Sequence, residues 1–525
     1  MKSADPGQDG GPAIIRAELQ LTAHRRPWAT GPLALGCLIG IGLLSGCTAG
    51  PDFIRPDAPA TDAYTPTPLP ARTVSSPVAL GGSQQFVQGA LVGGRWWHEL
   101  GSPKLDALVD QALEASPTLE AAEATLSQAL EKFAAQAGSS LYPQVDAKAG
   151  AQRQRFNPGT LGQPGDVRIF DLYDITIGVH YNLDLAGGNQ RALEALAARA
   201  DYQYFQLVGA QLTLVGSIAV TAITQAQLNE QLQATLAILQ TQDDQVAITR
   251  RRLELGQASQ GDLYALQTVA EQTRASIPVL RNQHQQTEHA LAVLVGQAPG
   301  AGGLPTFALA DFSLPAELPL VVPSELVRQR PDIQASEALL HAANAEYGVA
   351  VSRLYPQIAL SANVGSQALS AASLFGGGSL VWGLAGQLTQ PLFNPGLPAE
   401  KRAAMFAFDA AAANYRQTVL EALRNVADVL RALDNDAQGL ASQAAADAAA
   451  QGSLQSMQHQ YALGSISYLQ LLAAQQLAQQ TRIDLITAQA RRLIDTSTLY
   501  QAMGGGEPHG EDRVEAPTRT SRLGH

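Results

Sequence analysis

Few residues of this chain are spaced for chemistry. His284 and His289 stand five apart, about 140° around a helix, so they do not share a face as two ligands of one metal would. Asp243 and Asp244 are neighbours and read as a solvated helix face rather than an acid–base dyad. Arg250, Arg251 and Arg252 form a short basic run just before a turn, either a solvated face or a docking surface. The chain contains no HExxH, no phosphate-cradling glycine loop and no nucleophile elbow. Cys37 and Cys47 are the only cysteines, and their spacing suits neither a disulfide framework nor a zinc site. No enzyme, cofactor or metal site is expected. The net charge of -12 offers no footprint for nucleic acid. It fits a cation-friendly lumen or a plain acidic surface.

Cys47 remains as the one residue placed for covalent chemistry. Arg25 and Arg26 precede an apolar run over residues 33–44, which is too short to span a membrane comfortably. The run ends in Leu44-Ser45-Gly46-Cys47, which resembles the lipobox of bacterial lipoproteins. Residues 1–46 then read as a signal peptide with a covalent lipid expected on Cys47; the alternative is an ordinary signal peptide with an incidental cysteine. Thr48 follows where an aspartate would otherwise stand, which by analogy with bacterial sorting favours the outer membrane. Residues 47–98, rich in Pro, Thr, Ala and Gly at their start, read as an extended segment lying on another surface.

The elements behind these residues come in two copies. No proline falls between residues 187 and 277, or between 399 and 503. Leu232, Leu239, Val246 and Leu253 recur in sevens; Val419, Leu423, Val426, Leu430 and Leu433 alternate fours and threes, as do Ile483, Ile486, Ala490 and Leu493. This is the seam pattern of helices packed at shallow angles. A continuous helix over residues 187–255 would span roughly 100 Å. Gly256-Gln257-Ala258-Ser259 matches Gly464-Ser465-Ile466-Ser467, Gln272-Thr273-Arg274 matches Gln480-Thr481-Arg482, and Leu141-Tyr142-Pro143-Gln144 matches Leu354-Tyr355-Pro356-Gln357. All lie in one order about 210 residues apart, the mark of a duplicated unit. The expected units are residues 99–296 and 323–503, joined by a linker at 297–322 and followed by a flexible tail at 504–525.

Each unit also carries a pair of strands. Tyr173, Ile175, Ile177, Val179, Tyr181 and Leu183 alternate with Asp174, Thr176, Gly178, His180 and Asn182, a pattern long enough for a tilted membrane strand whose apolar side meets lipid. Its partner is expected at 144–152, with a loop at 153–170. The second copy repeats this at 358–364 and 380–388. Four strands cannot close a membrane barrel, since the smallest type has about eight. An open edge in lipid leaves backbone groups unpaired. The strands must therefore close with those of other copies, eight in a dimer or twelve in a trimer.

Taken together, these motifs resemble the TolC-like outer-membrane factors, specifically the lipoprotein branch that works with resistance-nodulation-division pumps. The resemblance rests on the lipobox, Gly50-Pro51-Asp52-Phe53-Ile54-Arg55-Pro56, Trp97 with Pro103-Lys104-Leu105, Tyr142-Pro143 and Tyr355-Pro356, and the two Gly-x-x-Ser turns. It implies a mainly α fold with membrane β-hairpins: a homotrimer with a twelve-stranded barrel in the outer membrane of a Gram-negative bacterium and a twelve-helix tunnel in the periplasm. It implies a passive exit duct for drugs or other small toxic compounds. The duct is driven by an inner-membrane pump through a periplasmic adaptor. Gly256, Ser259, Gly464 and Ser467 then mark the periplasmic tip, and Arg252 and Asp262 become candidates for a polar gate or adaptor contact. Ser465-Ile466-Ser467 lacks the acidic residue that family members often place there. The same fold in protein secretion or metal-ion efflux, and a periplasmic adaptor or scaffold, are the alternatives.

Overall fold

The computed structural model describes residues 48–505 except 62, 91 and 163. The leader, Cys47 and the tail beyond residue 505 lie outside the described residues. From its start the chain runs extended to strand β1 (Gln85–Gln88), a 3-10 turn at Trp96–Leu100, and helices α1 (Pro103–Ala115) and α2 (Pro117–Leu141). Strands β2 (Gln144–Phe156) and β3 (Arg168–Leu183) follow, then the long helices α3 (Gly188–Glu254) and α4 (Gln260–Leu294). Strand β4 (Glu317–Leu320) lies in the linker, and the second copy comprises α5 (Pro323–Gln329), α6 (Pro331–Ser352), β5 (Gln357–Ala368), β6 (Leu380–Thr389), α7 (Gly396–Ala462) and α8 (Tyr468–Ala502).

The duplication is exact in its longest parts. Both first hairpin helices hold 67 residues and both return helices 35. At 1.5 Å per residue the longer ones extend about 100 Å. Each ends in a Schellman motif. The amide of Gly256 donates to Leu253 O at 2.9 Å and that of Gln257 to Arg252 O at 2.7 Å; Gly464 and Ser465 repeat this with Tyr461 and Gln460, both at 3.0 Å. The motif needs a left-handed residue, and Gly256 and Gly464 take φ of 73° and 72° without a Cβ penalty. Pro278 lies inside α4, just past the proline-free stretch. It deletes one backbone donor without ending the helix.

The main core gathers where the hairpins approach each other. Leu214, Val215, Ile218, Ala219, Ala222, Ile223 and Ala226 of α3 meet Val426, Leu430 and Leu433 of α7 and Ile486, Ala490 and Leu493 of α8 in one cluster. Small residues let these helices close in: a Cβ on Gly216 would fall 1.1 Å from Gln501 Nε2. Trp96 plugs the cluster, stacked on Tyr500 at 5.4 Å between ring centroids.

Beyond β5 running to Ala368 instead of the expected 364, two features depart from the sequence expectation. The strands of the first hairpin run on to Phe156 and restart at Arg168, so the loop is shorter than the 153–170 expected. Residues 153–156 alternate arginines with Gln154 before Phe156, and a strand with both faces wet carries no hydrophobic period to read. The second is a parallel pairing of β1 with β4, Phe86 opposite Leu318. It ties the extended segment to the linker between repeats, a contact between distant parts that no local pattern announces.

Candidate functional site

The four membrane-type strands form one sheet in the order β2-β3-β5-β6, all antiparallel. Residues paired across an antiparallel sheet share a face. Ile177 pairs with Ala147 and Val364, and Val364 with Trp382; Val179 pairs with Val145 and Ala362, and Ala362 with Leu384. Tyr173, Ile175, Tyr181 and Leu183 continue this side, so the expected membrane-facing residues share one apolar face across the sheet. That face is open: Ile177 is 50% exposed, Trp382 76% and Leu384 78%. The reverse face carries Asp146, Lys148, Thr176, His180, Ser361, Asn363 and Gln387 in matching register. A sheet that is apolar towards one side and polar towards the other, with its apolar side uncovered, has the pattern of a membrane strand set. The outer edges of β2 and β6 have no strand partner among the described residues.

At the far end of the hairpins the expected turn residues are helix caps. Ser259 Oγ accepts from Asp262 N at 3.1 Å, while Ser259 N and Oγ donate to Asp262 Oδ2 at 3.1 and 2.7 Å. Ser467 and Gln470 repeat this capping box, with Ser467 N donating to Gln470 Oε1 at 2.9 Å. Asp262 is thus engaged within its own turn. Arg252 instead reaches the other repeat, its guanidinium lying 5.4 Å from the Tyr461 ring centroid. Tyr461 meets Tyr468 edge-on at 5.7 Å, and Tyr468 packs with Leu266, Val269, Leu471 and Leu472. Burial pushes the Tyr468 hydroxyl well above the ordinary phenol range, and Tyr461 and Asp262 add to it. The structure therefore brings Arg252 to an aromatic lock joining both hairpins and does not pair it with Asp262. Sequence reading missed Tyr461 and Tyr468, though their placement either side of the second turn was a usable signal.

A third group lies where the sheet joins the helices, and it too was missed. The amide of Ala49 donates to Ala186 O at 2.8 Å, just past the end of β3. Arg191, buried in the first turn of α3, donates to Ala49 O at 3.1 Å, to Asp52 at 2.7 Å and to Glu194 at 2.7 Å. Glu194 also lies 2.7 Å from His341 Nε2 of α6, and the His341 ring stacks on Phe53 at 4.4 Å. Burial raises the Glu194 carboxyl, but the hydrogen bonds from His341 and Arg191 outweigh it and hold the group below its ordinary value. The chain leaving residue 47 is in this way clamped to both repeats. Among the described residues no cluster of side chains could hold a metal ion.

This arrangement has known counterparts. Residues 108–297 and 322–505 match the outer membrane efflux protein family, one segment per repeat. The chain is 30% identical over 498 residues to a protein of Pseudomonas putida named probable efflux pump outer membrane protein TtgC, covering 91% of this chain and 97% of that one. It is 28% identical to outer membrane protein OprJ of Pseudomonas aeruginosa, covering 90% and 95%. The solved outer-membrane channel OprN superposes with a TM-score of 0.78 at 26% identity, over 88% of this chain and 99% of that one. A sheet with one uncovered apolar face, joined in each repeat to a hairpin whose longer arm extends about 100 Å and matched along nearly its whole length by such channels, makes this an outer-membrane channel subunit for efflux, and the chain belongs to the outer membrane efflux protein family.

Proposed function

We propose that three copies of the chain close one continuous duct through the outer membrane and periplasm, and that small toxic organic compounds leave through it. The observation that carries this is the register-matched apolar face of a four-stranded sheet whose two edges have no strand partner among the described residues. Unpaired edges are not tolerated in hydrocarbon, so neighbouring copies must supply the missing pairs. Twelve strands suit the family resemblance, and each copy then adds four long helices to the periplasmic tunnel. The wet reverse face lines the passage. The relatives named as efflux pump outer membrane proteins support a tripartite assembly with a periplasmic adaptor and an inner-membrane pump of the resistance-nodulation-division type. The pump supplies the energy, and the duct carries out no covalent chemistry. Cys47 carries a covalent lipid, and the clamp on Ala49 and Asp52 holds the chain that follows it beside the end of β3.

The tip turns form the periplasmic end, where the adaptor docks. Arg252 over Tyr461 acts there as a latch between the two hairpins, while Asp262 and Ser259 hold the shape of the first turn. The test is the mass of the native complex extracted from outer membranes with lipid retained. A lipidated trimer is expected; a strict monomer, or a protein found in the soluble periplasm, would sink the duct reading.

A further inference from the structure

The first hairpin rises above the lipid-facing band, and what it carries there is charged. Tyr173 pairs with Ala151 and with Ala368, the last residue of β5. From Leu183 to Tyr173 the apolar stripe covers about 33 Å along the strand, or about 25 Å of membrane height at the usual tilt. The next residues on that same face are Arg153, paired with Asp171, and Arg155, paired with Ile169. They stand roughly 5 to 10 Å above the tyrosine. The headgroup layer adds about 5–7 Å on each side of the hydrocarbon, so Arg153 stands within it and the long side chain of Arg155 reaches down to it from just above.

We propose that Arg153 and Arg155 form a binding site for a phosphate-bearing lipid headgroup of the outer leaflet. Both side chains are exposed, and Arg155 has no ion pair among the described residues. Arg153 has only a loose one, 3.7 Å from Asp171, and keeps 74% of its side chain exposed. In the assembly, the free edge of β2 meets the β6 edge of the next copy, whose β5–β6 loop (residues 369–379) contains no carboxylate. A neighbouring subunit therefore brings no counter-charge from that loop. Two guanidiniums on one face offer forked donors that match phosphate oxygens, with Tyr173 below them at the top of the apolar stripe to meet acyl chains. The placement rests on the proposed orientation, with the helices in the periplasm.

The test uses full-length protein in nanodiscs of zwitterionic phospholipid doped with a diphosphorylated glucosamine-based acyl lipid, with bound lipid counted by native mass spectrometry. The wild type is expected to retain the phosphorylated lipid. Arg153→Gln/Arg155→Gln should hold it roughly thirtyfold more weakly, about one decade or less per charge. Arg153→Lys/Arg155→Lys should fall between, and Asp171→Asn should bind more tightly than wild type. Equal retention by the wild type and the double glutamine variant, or no loss when the lipid is dephosphorylated, overturns the proposal. Labelling Gly159→Cys on intact cells with a membrane-impermeant thiol reagent separates the two readings. Labelling from outside leaves the orientation standing, so that a lipid failure sinks this site alone. Labelling only after the outer membrane is opened overturns the orientation and the site together.

Discussion

Asp495 of α8 lies beside Asp436 of α7, and burial first, then the hydrogen bond and charge of Asp436, push its carboxyl up to about 8 against the pull of Arg491. A carboxyl raised above its unfolded value favours the protonated form in the fold. Its contribution to stability is therefore largest at pH below about 4 and is lost as pH rises through about 8. Asp495→Asn keeps a neutral side chain at every pH. The wild type should lose thermal stability between pH 5 and 9 relative to this variant, read from melts of the detergent-solubilised protein; parallel profiles would remove Asp436–Asp495 as the cause. The tip gives a second test. Ser259→Ala and Ser467→Ala each remove a cap worth about 1 kcal/mol, which should show as local loosening in hydrogen exchange. Arg252→Ala removes a cation–π contact of about 0.5–1 kcal/mol and should raise single-channel conductance in planar bilayers, whereas Asp262→Asn should act like a lost cap. The sequence marked Arg252 and Asp262 as charges beside a turn. It did not reveal which neighbour each would choose, because Asp262 reaches three residues back and Arg252 reaches across some two hundred.

At the scale of elements, alternation is the governing signal, and it is legible wherever one face of a strand meets lipid. Ile175, Ile177 and Val179 announced β3 because apolar and polar residues alternate strictly between its two sides. Above the band that alternation ends, and the outer third of β2 was lost to view with it. The long helices were readable for a similar reason, since a seam of Leu and Val in steps of three and four persists over their length. The pairing of β1 with β4 was not, because four residues of mixed character carry no period and the partner lies more than two hundred residues away. Substitutions on the two faces of β3 should separate accordingly. Ile177→Arg sets a charge near the middle of the lipid-facing stripe, which costs about 2–4 kcal/mol in a membrane barrel. Thr176→Arg places the same charge on the polar face one residue away. The first should sharply reduce folded protein in the outer membrane fraction and the second should leave it nearly unchanged. Equal yields would mean that the apolar face meets something other than lipid.

For the molecule as a whole, the question is what holds two repeats in one register while neither can close a sheet alone. The hairpins meet in the main core and again at the Tyr461–Tyr468 lock, but the sheet end relies on the stretch that follows Cys47. That stretch is hydrogen-bonded to α3 through Arg191 and to α6 through Asn344, whose side chain donates to Pro51 O at 3.0 Å. Further along it is sewn to the second hairpin by the fully buried Arg492, which donates to Leu80 O at 3.1 Å, Gly82 O at 3.0 Å and Gln84 at 2.9 Å. The buried Arg191 guanidinium is the hub of this clamp. Asp52 is 88% exposed and Glu194 keeps His341, so losing the guanidinium costs less than the roughly 3–5 kcal/mol of a fully buried pair, but it removes the hydrogen bonds from α3 to residues 48–52. Arg191→Ala should therefore release residues 48–56 and loosen α3 from α6, since Glu194 and Asp52 lose their cation together. Limited proteolysis would show new cleavage in that segment, and the yield of the native assembly should fall. Lipid on Cys47, followed by mass, should be unaffected, because the modified residue is untouched. Cys47→Ser should do the reverse, losing the lipid while the segment stays protected. If Arg191→Ala protein kept a protected segment and full assembly, the clamp would be incidental, and the repeats would have to be held in register by the helical core alone.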